Sequence, residues 1–374
     1  MERHPSSQND PAGGAAAFVR VDRFLVFRDG RSDVRPSRAA ERGLVRVDRG
    51  VYLDWPAATR ELGTDPTAWR VRKLVNLARL YSTSYRFREQ GPIAFTGAST
   101  LVALNAGVWD RDPAVTFRSV NGGPSKRGSL PAVETPIVAV DSVPFRRLSG
   151  GLNQRTLATQ RSHAQPELLT TDFVVTAADL ARTQPPFEAF INLCMLLSNL
   201  NHFGNFEDER RAFLCSRLIE EIARGLEGLE GGAGTRRLRR ILEHAHCGAD
   251  SPGEAALLWM VKCWWQKPQQ VVAQQLVTTP RGRYFLDVAI PHLKIGLEFD
   301  GATKLGSDEN EWLRRSGAFL ERQRSLLDAG WTLSRFTYKD TLDPALMMRK
   351  VGGALEDWPG ARREPGGPLW HPLD

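Results

Sequence analysis

Two carboxylates occupy positions where strands should end. Asp287 lies in the run GRYFLDVAIP, at the end of a strand running into a turn, and Glu298 lies in KIGLEFDGATK. Ten residues separate them, including a tight connection at Pro291-His292. Antiparallel pairing of the two runs would bring both acids to a common edge. Asp300 and Gly301 follow Glu298, Lys304 comes next, and Glu254 stands upstream at the head of an apolar helical stretch. A hard cation such as Mg²⁺ takes about six oxygens at roughly 2.1 Å, usually one or two carboxylates with water and phosphate. Asp287, Glu298 and Asp300 are therefore candidate ligands for Mg²⁺ or Mn²⁺, and Glu254 can add a further oxygen. Such an ion lowers the pKa of a water and stabilises charge on a scissile phosphate, and Lys304 would add positive charge there. Plainer roles exist for each residue. Ser251 and Glu254 have the spacing of a capping box. Asp300-Gly301 suits a turn, and Asp287 can cap its own hairpin. Arg322 and Arg324 can contact phosphate or simply be solvated. Asp300 can hold a second cation or raise the pKa of a neighbouring acid.

The elements that must carry these residues read in the order α-β-β-β-α-β. SPGEAALLWMVKCW is a helix, and KPQQVVAQQLV, GRYFLDVAIP and LKIGLEFDG are strands. A helix is expected from about Trp312 to Ala329, then a stop at Gly330 and a last strand from Thr332 to Thr337. With Ser251 and Glu254, the strand-borne Asp287, LEFDG (297–301), ERQRSLLDAGW (321–331) and LSRFTYKD (333–340), residues 251–355 resemble the PD-(D/E)xK nucleases. The likeness is closest to the branch related to very-short-patch-repair endonucleases. It implies a restriction-endonuclease-like α/β domain with a central mixed sheet over 249–357. It further implies Mg²⁺-dependent phosphodiester hydrolysis, with Asp287, Glu298, Lys304 and Glu254 as the catalytic set. One departure matters: the E-x-K lysine position holds Asp300. In this branch E-x-D-G with a later basic residue is usual, so the positive charge passes to Lys304, Arg322 or Arg324. An inert nuclease fold within a DNA-binding regulator is the alternative.

The N-terminal third suggests what would hold a duplex. A helical pattern over residues 19–27, a helix from Pro36 ended by Gly43, and a hairpin around Asp48-Arg49-Gly50 together predict a winged helix-turn-helix over 17–62. Residues 18–53 hold nine arginines against five acids and no lysine. Arg35, Arg38, Arg42 and Arg49 are the candidate DNA contacts. A basic solvent face or a protein partner are the other readings. Residues 63–248 form a middle α+β region. It begins with a helix over 67–90 whose stripe is Val71, Leu74, Leu77 and Leu80, with Arg70, Arg72, Lys73 and Arg79 largely off it. A short strand and a helix from about Ser99 follow, then β-like runs AVTFRSV, TPIVAVDSV and DFVVT, then helices. ERGLVRVDRGVYL (41–53), FTGASTLVAL (95–104) and FVVTAADLAR (173–182) resemble an AbiEi-type antitoxin winged-helix region over about 18–245. That likeness implies an antitoxin-like or regulatory DNA-binding role.

Composition sets bounds. The chain has 374 residues, 41 % hydrophobic and 25 % charged, which suits a globular multidomain α/β and α+β protein. The net charge of +7 fits phosphate contacts or an ordinary solvated surface. No apolar run approaches the roughly 20 residues that span a bilayer. Residues 1–16 lack a signal-peptide core and read as a disordered tail, residues 358–374 read as a Pro/Gly-rich tail, and a cytoplasmic location is expected. Cys194, Cys215, Cys247 and Cys263 show no CxxC spacing and are expected as reduced, buried thiols. HAHC at 244–247 lacks a second ligand pair. Trp259, Trp264 and Trp265 are expected in a core rather than as a stacking platform.

Overall fold

The computed structural model describes residues 20–27, 36–63, 67–149, 165, 167–201, 209–229, 234–300 and 309–373. Arg35 and Lys304, both candidates above, lie outside them. The N-terminal unit comprises β1 (Leu25–Phe27), α1 (Pro36–Glu41), β2 (Leu44–Asp48), β3 (Val51–Asp54), α2 (Trp55–Leu62) and α3 (Ala68–Phe87). Its antiparallel sheet has the order β1-β3-β2. The helix expected over residues 19–27 is instead one 3-10 turn, Val21–Phe24, and a strand. Leu25-Val26-Phe27 is β-prone and finds the open edge of β3, with Leu25 opposite Leu53. The hairpin forms as expected, and Gly43 ends the segment after α1 at φ +67°. A pair of helices preceding the hairpin is not present among the described residues. Asp48 is buried and accepts from Ser82 Oγ at 3.0 Å, which ties the hairpin to α3. Every residue of α3 from Leu74 to Thr83 is buried, so Arg79 is not off the stripe but fully buried. Its Nη2 donates to the carbonyls of Pro131, at 3.1 Å, and Asp141, and its Nη1 to Asn76 Oδ1 at 3.4 Å, while the buried Nε finds no hydrogen-bond partner among the described residues.

The middle region continues with β4 (Ile93–Phe95), α4 (Ala98–Ala103), β5 (Val115–Ser119), β6 (Lys126–Leu130), β7 (Val133–Glu134), β8 (Ala139–Val140) and β9 (Val143–Leu148). A mixed sheet runs β4-β5-β9-β6. DFVVT is not a strand: Asp172 caps α5 (Phe173–Thr183) by accepting from the Val175 N–H at 2.8 Å. Helices α6 (Pro186–Asn201), α7 (Glu209–Gly225) and α8 (Thr235–Leu242) follow. Cys215 and Cys247 are joined as a disulfide between α7 and the segment after α8, which corrects the expectation of four free thiols. Cys194 and Cys263 are free and buried. With Cys247 so engaged, HAHC cannot offer a thiolate ligand.

The C-terminal unit follows the expected order: α9 (Pro252–Trp264), β10 (Val272–Thr279), β11 (Gly282–Ile290), β12 (Ile295–Asp300), α10 (Glu309–Asp328), β13 (Thr332–Thr337), and then α11 (Pro344–Leu355). The sheet order is β10-β11-β12-β13, antiparallel except for the parallel β12–β13 pair. Ser251 caps α9 and Gly330 stops the segment after α10 at φ +83°. Trp259 and Trp265 are core residues. One apolar core joins α6, α9, β11, β12 and α11 and takes in Leu369, with Trp370 packed against it. A second core holds the N-terminal sheet, α3 and the β5–β9 sheet. No helix among the described residues is long and apolar enough to cross a membrane.

Candidate functional site

Strands β11 and β12 pair only through Ile290↔Ile295, Ala289↔Gly296 and Val288↔Leu297. The next positions in that register are Asp287 and Glu298, where the ladder opens into a fork. Asp287 Oδ2 accepts the Phe299 N–H at 2.8 Å, so its carboxylate takes a donor that the open ladder leaves over. Asp287 is therefore three residues inside the strand, at the end of the pairing rather than of the strand. The same opening appears on its other side. Ala273↔Val288 and Gln275↔Leu286 pair, while Gln274, opposite Asp287 by count, does not and adopts φ +51°. A non-glycine residue there is strained. On the far side Glu298 pairs in register with Arg335. A polar row thus crosses all four strands: Gln274, Asp287, Glu298, Arg335.

Glu254 reaches this row from α9. Gly253 makes that approach possible, because a Cβ on it would lie 2.2 Å from the Phe299 ring. Glu254 accepts from the Asp250 N–H at 2.9 Å and from Ser251 Oγ at 3.0 Å, while the Glu254 N–H donates to Ser251 Oγ at 3.3 Å. The capping role is real, and it leaves a carboxylate that also meets Gln274 Nε2 at 3.4 Å. Burial, then Asp287 and Asp250, pushes the Glu254 carboxyl up to about 8.

Glu298 is 1 % exposed. Arg322 donates to it and also to the Phe285 carbonyl at 2.6 Å. Arg335 Nη2 lies 2.7 Å from Glu298 Oε2, an ion pair whose angle falls outside hydrogen bonding. Arg335 Nη1 donates to Asp300 Oδ2 at 3.0 Å, and its guanidinium covers the Phe319 ring with 4.2 Å to the centroid. Burial raises the Glu298 carboxyl, Asp287 and Asp300 add to that, and the two arginines oppose it. Four acids thus share a neighbourhood with two guanidinium groups. Among the described residues, no three His, Cys, Asp or Glu side chains gather as a formed metal-binding group.

Arg322, which the sequence leaves as a phosphate contact or a solvated side chain, pairs with Glu298, and Arg324 is exposed. In the N-terminal unit Arg38, Arg42 and Arg49 are exposed, and so is Arg46 on β2. Sequence reasoning missed Arg335 and Gln274. Laying IGLEFD over TLSRFT as parallel neighbours puts Glu298 beside Arg335, a signal that was present. VVAQQLV carries no mark of a left-handed residue. Comparison of the chain with protein-family models, with curated proteins and with solved structures found no match.

Proposed function

We propose that this protein binds DNA and that its C-terminal α/β domain hydrolyses phosphodiester bonds with a divalent cation, Mg²⁺ or Mn²⁺. The observation that carries the reading is the polar row at the open ladder, with Asp287 and Glu298 side by side and Glu254 brought down onto it. The chemistry of the donor set fits a hard cation. Four acids stand against two guanidinium groups, and the Glu254 carboxyl is pushed up to about 8 by burial first and then by its acidic neighbours. Positive charge at that place would relieve both. Asp287 and Glu254 are the residues that would hold the ion, with Glu298 joining where Arg322 or Arg335 yields an oxygen. When bound, the ion would polarise the phosphate and activate a water.

The remaining tasks fall to the chain itself. Arg335 spans Glu298 and Asp300 and places a fixed positive charge near where the E-x-K motif expects lysine. Arg322 locks Glu298 to the backbone of β11. Arg38, Arg42 and Arg49 offer exposed forks for the DNA backbone. The test is cleavage of plasmid, duplex and single-stranded DNA with Mg²⁺ and Mn²⁺. Nicking is expected, and Asp287→Ala should lower it at least about a hundredfold, within the range of removing one electrostatic stabiliser. DNA binding without cleavage on any of these substrates would sink the enzymatic reading.

A second reading has its own observation: Glu298 is already neutralised by two arginines. On that reading the domain is an inert scaffold in a DNA-binding, antitoxin-like regulator. Calorimetric titration with Mn²⁺ separates the two. The enzyme should bind site-specifically and lose affinity in Glu298→Gln, whereas the scaffold should give no heat in either form.

A further inference from the structure

Away from the acid row, α5, α6, α8 and the segment after α11 line a half-open pocket of about 460 Å³, a size typical of small-molecule sites. Arg182, Arg236, Arg237 and Arg240 line it, and no carboxylate does. Two of these arginines have structural duties. Arg237 donates to the carbonyls of Ala181 and Gln184 at 3.0 and 3.1 Å, and Arg182 meets Asp179 at 2.9 Å. That Asp179 is shared with Arg118, so it does not offset the pocket's charge alone. Arg236 and Arg240 are exposed, one turn apart on α8, and neither is in an ion pair with a described residue. Like charges at i and i+4 oppose the helix they sit on. Four guanidinium groups around one hollow are a costly arrangement that an anion would relieve.

The apolar part of the wall comes from Trp370, Pro186 and Pro368, with His371 beside them, and the Trp370 indole is braced by Trp259 at 6.0 Å between ring centroids. We propose that this pocket binds a nucleoside di- or triphosphate, with the arginine forks on the phosphates and the base against Trp370. Two or more phosphates match the charge, and a planar ring matches the wall; inorganic phosphate would use only half of the site. The proposal does not depend on the acid row.

Calorimetry on the full chain tests it with ADP, pyrophosphate and a 12-base-pair duplex as probes. One ADP per chain is expected, with pyrophosphate at least about tenfold weaker, and ADP affinity falling at least about thirtyfold in Arg236→Ala/Arg240→Ala. Both arginines are exposed, so that variant should fold. Trp370→Leu should weaken ADP while leaving pyrophosphate unchanged. Asp287→Ala should bind ADP normally, which keeps this site separate from the acid row. Absence of ADP binding up to millimolar concentration, or undiminished binding in the double variant, overturns the proposal. Pyrophosphate binding as well as ADP removes the role of Trp370 and overturns the nucleotide assignment. Duplex binding that the double variant abolishes, without ADP binding, overturns it in favour of nucleic-acid phosphate.

Discussion

Arg335 touches two acids with one guanidinium group, and this makes it the most informative side chain at the acid row. Replacing it by methionine keeps the stem's packing and removes the charge. About 2 kcal/mol of stability should be lost, because Glu298 keeps only Arg322. Under the cation reading, Mn²⁺ affinity should rise roughly tenfold at the same time, since an oxygen of Glu298 is released. Unchanged Mn²⁺ binding in Arg335→Met would mean that the pair is structural alone. Glu254 carries a pH prediction. Its folded-state pKa, about 8 against an ordinary 4.5, is raised. The folded protein therefore holds a proton that the unfolded chain releases, and stability falls as pH rises through that window. The slope is at most about 1.4 kcal/mol per pH unit. Thermal melts with chelator at pH 5.5, 6.5 and 7.5 should show the fall, and Glu254→Gln should flatten it. These residues were only partly legible in the sequence. Asp287, Glu298 and Glu254 announced themselves as acids set in apolar runs, although Asp287 lies inside its strand rather than at the end expected for it. Arg335 did not, because its partner lies 37 positions away and meets it only through a parallel pairing.

At the scale of elements, the approach of α9 to β12 decides whether the row exists. Gly253 faces the Phe299 ring, and a methyl group there has no room. Gly253→Ala should cost about 1–3 kcal/mol, as overpacked sites do. It should also shift Glu254 away from Gln274, with a matching loss of any cation binding; a melting temperature within a degree or two of the wild type would contradict this. The order α-β-β-β-α-β was legible because apolar runs of strand length alternate with a helical period, and Gly330 and Ser251 mark the ends. DFVVT misled because β-branched residues dominate it, while a single cap at Asp172 decides for helix. The N-terminal strand β1 misled in the opposite direction, since a few aromatic and aliphatic residues suit either period until a neighbouring edge selects one.

At the scale of the whole molecule, the disulfide between Cys215 and Cys247 closes a loop of 32 residues. On chain-entropy grounds it should contribute about 3–4 kcal/mol. Cys215→Ser should lower the melting temperature under non-reducing conditions, and reductant should bring the wild type down to meet it. Thiol labelling of the unfolded, non-reduced chain should count two free cysteines; four would remove the bond from the account. The pairing was not legible, because two isolated cysteines, one on α7 and one in the segment after α8, give no spacing to read. The shared core has a consequence for how the protein is made. Its pieces run from Leu101 on α4 through α5, α6, α9 and α11 to Leu369, with Trp370 against Trp259. The core of the N-terminal half ends by residue 168 and can close while synthesis continues. The later core must wait, its apolar helix faces uncovered, until Trp370 has left the ribosome. Assembly of the acid row, which lies against that later core, therefore follows closure of the core beneath the basic N-terminal unit as the chain is made.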